Sequence, residues 1–417
     1  MNTYKDRQII VEEVNIETNE QLSLVQVKFR VGKDIKCFFN SQVFENKYFN
    51  TGVTISKSLA VVPFVCNVLP LVWLTDSELI LEELDSCFNE SIPNIKKGYE
   101  TIYPRLNFNG LVSVQSVVVN ENDGHGSLCL FSGGVDSIAT IIAHMSEKPM
   151  LFSVHGADIP LNDEVAWRVM EQHLVKMADG WSLRNICCHS NFRCFMDEEC
   201  LCKLLSTIGL KYDWWTGFQA CLGLVGLVAP LTKDLKIKNV YIAGSRNNDD
   251  LALTGDAIDP RIAEVVNFAS VKVHYDQGEN NRQEKITHIV EYVNMHHIPL
   301  ELHVCWKTAD GNNCCQCEKC YRTIFGLLAA GADPSLYGFA VSCDNMKSMT
   351  RKVKYWMVIN NSLLVFWNDI KSAVILNKCT DPCIKWMKSY DFEKWNKWKI
   401  KGQKIRRAIR HMFGKIK

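Results

Sequence analysis

Polar and apolar residues alternate along the first stretch of the chain. Ile9, Ile10 and Val11, then Leu22 to Val31, then Lys36 to Asn40 are separated by polar turns and predict three strands. Ser77 to Phe88 (SELILEELDSCF) places apolar residues three and four apart and predicts a helix. Val112 to Val119 is a further β-branched run, and the polar, glycine-containing segment Asn120 to Gly126 marks a break. These features predict a small mixed α/β domain over residues 1–125, with no chemical motif in it.

Beyond the break, strand and helix patterns alternate. Strands are expected at Leu128–Phe131, Met150–Val154, Asn185–Cys188, Val240–Ala243, Val271–His274 and Leu300–Val304. Helices are expected at Val135–His144, Asp163–Ala178, Asp259–Phe268 and Gln283–Met295, with a long buried helix at Trp214–Pro230. Such alternation predicts an α/β fold with a mostly parallel sheet and helices on both faces, here over residues 126–340. Ligands of such sheets bind beyond the carboxyl ends of the strands. The loops after Phe131, Val154 and Ala243 should therefore face the site. Residues 341–417 remain as a C-terminal extension.

The composition is 47% hydrophobic and 22% charged, which is that of a globular chain long enough to bury a large core. The net charge of +1 hides a cancellation. Residues 385–417 hold twelve Lys and Arg against Asp391 and Glu393, a segment of +10, which leaves −9 on the rest. Trp386, Trp395, Trp398 and Phe413 are interleaved with those charges. The segment suits nucleic acid, an anionic surface or an acidic partner, or is a solvated amphipathic helix packed on the body. The N-terminus opens on charges with no apolar signal core, and the window Leu59–Leu74 is too short and too broken by Pro63, Asn67 and Pro70 to span a membrane. A cytoplasmic protein without a transmembrane segment is expected. In a reducing compartment eighteen cysteines point to metal or chemistry rather than disulfides.

Two motifs carry chemistry. Ser132-Gly133-Gly134-Val135-Asp136-Ser137 joins the first strand of the parallel series to its helix. Glycines let the backbone turn tightly, and free N–H groups at a helix start attract an anion. No lysine follows, so this is not a Walker A loop. The second motif, Cys305, Cys314, Cys317 and Cys320, has the spacing C-x8-C-x2-C-x2-C. Four thiolates at this spacing close a tetrahedral Zn²⁺ site with no open position, which predicts a structural role; an iron–sulfur cluster would use the same ligands. Cys315 is a spare between them, and Cys200 and Cys202 are a weak pair.

The SGGxDS loop resembles the PP-loop of ATP pyrophosphatases, a superfamily with a HUP-like, Rossmann-type sheet that cleaves ATP between the α and β phosphates. The resemblance implies that Ser132, Gly133, Gly134, Val135, Asp136 and Ser137 bind the β,γ-phosphates with Mg²⁺. Followed about 170 residues later by the cysteine quartet, it is similar to the 7-cyano-7-deazaguanine synthase (QueC) family over roughly residues 127–331. Val154–Arg168, Ile242–Ser245, Asp259–Ile262 and Gln283–Ile286 match in order. Two departures are Gly156–Pro160, where biosynthetic members carry Gln-Arg-His, and Tyr212–Gly217, where they carry Pro-Gly-Arg-Asn. Those members are also about half as long. Longer QueC-like proteins occur in the anti-phage operons of type IV CBASS and Qat.

This resemblance implies adenylation of a carboxylate, such as that of 7-carboxy-7-deazaguanine, with release of pyrophosphate. Amide formation with ammonia or with an amine of a partner protein would follow. Lys285 would stabilise charge on the α-phosphate and, with Asp136, is the expected catalytic group, while Arg246 is expected to contact phosphate or a carboxylate. A solvated lysine on a polar helix face and a surface-loop arginine are the equally weighted structural readings of Lys285 and Arg246. Asp249, Asp250, Arg261, Arg322 and His155 have structural readings as strong as functional ones, and no base is placed to activate Cys129 or Cys188. Rival readings are a PP-loop tRNA thiolase, a polysaccharide-linked amidotransferase and an inactive nucleotide-binding scaffold.

Overall fold

The computed structural model describes residues 5–210, 213–247, 249, 251, 258–305 and 312–413. The chain divides into two compact units, residues 1–132 with 136–278, and residues 133–135 with 279–417. The first holds an eleven-stranded, mostly parallel sheet. Its strands are β1 (Gln8–Thr18), β2 (Leu22–Val31), β3 (Val43–Phe49), β4 (Glu78–Asp85), β5 (Leu111–Val118), β6 (Gly126–Leu130), β7 (Met150–His155), β8 (Asn185–Ser190), β9 (Ile237–Ala243), β10 (Asn267–Phe268) and β11 (Val271–Asp276). Their order is β10-β11-β9-β6-β7-β8-β3-β2-β1-β4-β5.

Burial explains the two halves of this sheet. β6, β7 and β8 carry runs of three or four consecutive buried residues, the mark of parallel strands covered on both faces. β2 and β3 alternate instead, burying Val25, Val27, Phe29, Phe44 and Tyr48, as antiparallel strands with one covered face do. The halves join where β3 pairs antiparallel with β8, Lys47 opposite His189. The break expected at residues 120–126 thus lies between two strands of one sheet. The principal helices of this unit are α1 (Val62–Leu74), α2 (Ser86–Ile102), α3 (Val135–Ala143, which starts in the other unit), α4 (Glu164–Gly180), α5 (Glu198–Thr207) and α6 (Ala220–Gly226).

Several expectations are corrected. Within Ser77–Phe88, Glu78–Asp85 forms strand β4 between β1 and β5, because burial of Leu79, Leu81 and Leu84 outweighs helix propensity, and helix begins only at Ser86. Lys36–Phe38 is a 3₁₀ turn, and the third strand starts later, at Val43. The helix over Asp259–Phe268 is a single turn, Pro260–Ala263, and Asn267–Phe268 is already strand β10. Leu300–Val304 makes no sheet pairing. The buried stretch Trp214–Pro230 is split into a π-helical turn, Trp215–Gln219, the short α6 and a 3₁₀ turn. The hydroxyl of Tyr103 from the end of α2 donates to the Gly217 carbonyl at 2.7 Å, and that of Tyr99 to the Phe218 carbonyl at 2.5 Å, bracing this turn.

The second unit is helical, with α7 (Arg282–His296), α8 (Glu318–Ala329), α9 (Cys343–Tyr355), α10 (Leu364–Leu376) and α11 (Phe392–Phe413). Asn281 caps α7 in a reciprocal box with Glu284, which fixes where the helix begins.

Candidate functional site

The parallel strands run in the order β8-β7-β6-β9-β11, so the chain proceeds outward from β6 in one direction and then, from β9, in the other. The reversal lies between β6 and β9, where the connections leave on opposite faces and open a crevice at the carboxyl ends. The Ser132–Ser137 loop follows β6. Gly133 holds φ at +70°, a left-handed conformation that glycine adopts without strain. Val135, fully buried, opens α3, and Asp136 lies in its first turn. The Ser132 and Ser137 hydroxyls meet at 3.3 Å, and the Ser132 amide donates to the Ser137 Oγ at 3.4 Å.

Ser132, Asp136 and Ser137 line one cavity of about 200 Å³ together with Asp158 and Ile159 after β7 and Ser245 after β9. All three loops expected from the strand order therefore reach one place. The walls are Phe131, Phe152, Trp167, Met170 and Trp215. The cavity is smaller than the ~300–1,000 Å³ of complete ligand pockets. The aromatic wall was not anticipated from the sequence, because its members come from separate elements. Arg193 bolts it together: its guanidinium lies 4.5 Å from the centre of the Trp215 ring, donates to the Ala157 carbonyl at 3.1 Å and pairs with Glu198 at 3.0 Å.

Other candidates have structural partners. His155 is 2% exposed, donates from Nε2 to the Pro160 carbonyl at 3.0 Å and stacks on Trp167 with rings 4.6 Å apart. Burial pushes its pKa down, so it is a neutral support for the wall. Arg261 is locked on Asp259 through two bonds of 2.8 and 2.6 Å. Arg246 follows β9, and its carbonyl accepts from the Tyr275 hydroxyl at 2.6 Å. Asp249 is exposed; Asp250 lies outside the described residues. Cys129 and Cys188 are fully buried and their thiols are pushed up by burial, the opposite of an activated nucleophile.

In the second unit, Lys285 lies in the first turn of α7 and is 1% exposed. The four predicted cysteines come together, with every pair of sulfurs within 4.8 Å. Cys305 and Cys317 are 3.9 Å apart, as are Cys314 and Cys320. A tetrahedral zinc with Zn–S of about 2.3 Å sets its sulfurs about 3.8 Å apart, so the quartet can hold one such ion. Cys317 caps α8 and its Sγ accepts from the Cys320 amide at 3.4 Å. Hydrogen bonding from Cys320 and the other thiols outweighs burial and lowers the Cys317 pKa, as a thiolate at a helix N-terminus requires. Cys315, at φ +49°, turns its thiol to the Asn313 carbonyl, away from the cluster. Asn313 fastens the loop by accepting from the Val304 amide at 2.9 Å and donating to the Leu302 carbonyl at 2.6 Å. His303, two residues before the first ligand, donates its amide to the Gly133 carbonyl at 2.8 Å. Arg322 pairs with Glu318 at 3.3 Å and covers the Phe366 ring at 4.3 Å. Residues 306–311, between the first two ligands, lie outside the described residues.

Comparison with family models, curated proteins and solved structures finds no match to this chain.

Proposed function

We propose that the chain is an ATP-dependent carbon–nitrogen ligase of the PP-loop type, which adenylates a carboxylate and passes the acyl group to an amine. The observation that carries this reading is the cavity at the strand reversal, lined by Ser132, Asp136 and Ser137 of the glycine loop and by the loops after β7 and β9. The order β8-β7-β6-β9-β11 is compatible with a HUP-type sheet. The four-cysteine group supports a QueC-like assignment and with it a 7-carboxy-7-deazaguanine type of substrate.

In this reading the backbone N–H groups of Gly133, Gly134 and Val135 and the hydroxyls of Ser132 and Ser137 hold the pyrophosphate half of ATP. A carboxylate beside phosphate repels it, so Asp136 would hold Mg²⁺, which neutralises the phosphate charge when bound. The substrate carboxylate attacks the α-phosphorus and pyrophosphate departs. The amine then attacks the acyl carbon, AMP leaves, and the amine gives up a proton. The apolar wall of Phe131, Phe152 and Trp167 keeps water from the acyl adenylate. Lys285 is assigned to the α-phosphate charge and Arg246 to a phosphate oxygen. A thiolase reading finds no support in the buried, high-pKa thiols of Cys129 and Cys188. The acceptor amine is ammonia or a partner protein, the latter fitting the anti-phage variants.

The test is incubation of the full chain with labelled ATP, Mg²⁺ and 7-carboxy-7-deazaguanine. AMP and pyrophosphate are expected only with the deazaguanine present, and Asp136→Ala should abolish both. Turnover that survives Asp136→Ala removes the loop assignment. ATP cleavage indifferent to the deazaguanine removes the substrate assignment.

A further inference from the structure

The C-terminal helix presents a surface that the nucleotide chemistry does not use. On one side α11 is anchored: Phe392 and Asn396 are buried, and Asn396 exchanges hydrogen bonds of 2.8 and 2.7 Å with the Ile359 backbone. Lys399 donates to the Val353 carbonyl at 2.7 Å. On the other side Trp395, Trp398 and Ile405 stand 43%, 64% and 52% exposed. At 3.6 residues per turn, Trp395, Trp398, Gly402 and Ile405 share an arc of about 80°. Lys394, Lys397, Lys401 and Lys404, all exposed, fill the neighbouring arc of about 80°. The apolar strip and the lysine row therefore run side by side along the axis. Tyr390 stacks on Trp395 at 6.0 Å and donates to the Lys354 carbonyl at 2.5 Å. Tyr390 is itself buried, so this stack fixes Trp395 from beneath; Tyr355 and Trp356, at the end of α9, are 53% and 55% exposed.

We propose that this face docks flat on an anionic phospholipid bilayer, the apolar strip at the boundary of headgroups and acyl chains and the lysine row on lipid phosphates. Charge complementarity argues for it, since residues 385–417 carry +10 in a chain whose remainder is acidic. A strip of large apolar side chains beside a row of lysines is the arrangement of an interfacial helix. Indole rings favour the headgroup level. Single-stranded nucleic acid would use the tryptophans as stacking platforms, but Ile405 continues the same strip and has no π-face to offer a base. Among the described residues no helix is long and apolar enough to cross a membrane, so the association is peripheral.

The test is sedimentation of the full chain with phosphatidylcholine vesicles, with and without about one-third phosphatidylserine. Binding is expected only with phosphatidylserine. Trp398→Ser with Ile405→Ser should weaken it at least tenfold. Replacing Lys397, Lys401 and Lys404 by Gln should weaken it about a hundredfold, at about fivefold per lysine. These side chains are exposed, so circular dichroism should show both variants folded. Failure to sediment, equal binding to vesicles without phosphatidylserine, or binding unchanged by Trp398→Ser with Ile405→Ser overturns the proposal. So does a single-stranded oligonucleotide that binds the same face more tightly than the vesicles do.

Discussion

Replacing Cys305 by serine, with Cys315→Ser as its control, tests the metal site sharply. Two of the sulfur separations, at 3.9 Å, differ by only about 0.1 Å from those of a tetrahedral zinc, and all the pairs lie within 4.8 Å. The four sulfurs are already grouped around one point, and the binding free energy goes into stability. With free zinc a thousandfold above its dissociation constant, that stabilisation is about 4 kcal/mol. At about 2–4 °C per kcal/mol for a unit the size of residues 279–417, which holds the site, the melting temperature of that unit should fall by about 10 °C when the ion is lost. Elemental analysis of the purified protein and a thermal melt with and without chelator measure both quantities. The native chain and Cys315→Ser should each hold one zinc ion, because the Cys315 thiol points to the Asn313 carbonyl. Cys305→Ser should hold none and should melt as the chelated native chain does. If Cys305→Ser keeps its zinc, or if Cys315→Ser loses it, the assignment of the four ligands is wrong.

Gly156 holds φ at +105°, and a Cβ there would collide with the Ser190 carbonyl oxygen. Gly156→Ala should cost about 3 kcal/mol or more in urea denaturation, since neither backbone can give way without breaking the β7–β8 edge of the cavity. His144 is clamped between Glu147 at 2.7 Å and Asp276 at 2.9 Å. Burial works against its charge, but the hydrogen bonds with Asp276 and Glu147 prevail and raise its pKa above 6.5. This stabilisation is full below pH 6.5 and is lost as pH rises through the folded value. Glu147 is the mirror case. Burial alone would raise its pKa, yet its bonds with His144 and Tyr241 lower it below 4.5, so its share is lost as pH falls through that folded value. Urea midpoints measured across pH should therefore decline on the alkaline side in the native chain and decline less in His144→Gln.

The strand–loop–helix unit at Ser132–Ser137 and the cysteine quartet were legible because both are local. Adjacent residues fix the glycine turn, and short spacings bring Cys314, Cys317 and Cys320 around one point. The parallel strands were legible for a similar reason, since burial on both faces leaves continuous apolar runs. What was hidden depends on distant partners. The helical reading of Ser77–Phe88 failed because a run such as Leu79-Ile80-Leu81 fits either period, and only the neighbours β1 and β5 decide between them. Trp167, Trp215 and Arg193 could not be foreseen as one wall, since they meet only after α4, the π-helical turn and the segment after β8 have packed.

The same dependence gives the N-terminal segment a physical role that its lack of motifs concealed. This segment supplies the Tyr99 and Tyr103 hydroxyls that hold the Phe218 and Gly217 carbonyls. Those two carbonyls belong to the π-helical turn that carries Trp215 to the cavity, and a π turn leaves the backbone less regularly paired than an α-helix does. Nearby, Asn67 of α1 accepts from Gln219 at 2.8 Å, and the same Gln219 amide donates to the Phe192 carbonyl at 2.7 Å, the residue before Arg193. Two aromatic hydroxyls and one buried amide pair thus fix both partners of the Arg193–Trp215 contact from the N-terminal side. The ligand-facing wall is set by the packing of this segment as firmly as by the strand order that creates the crevice.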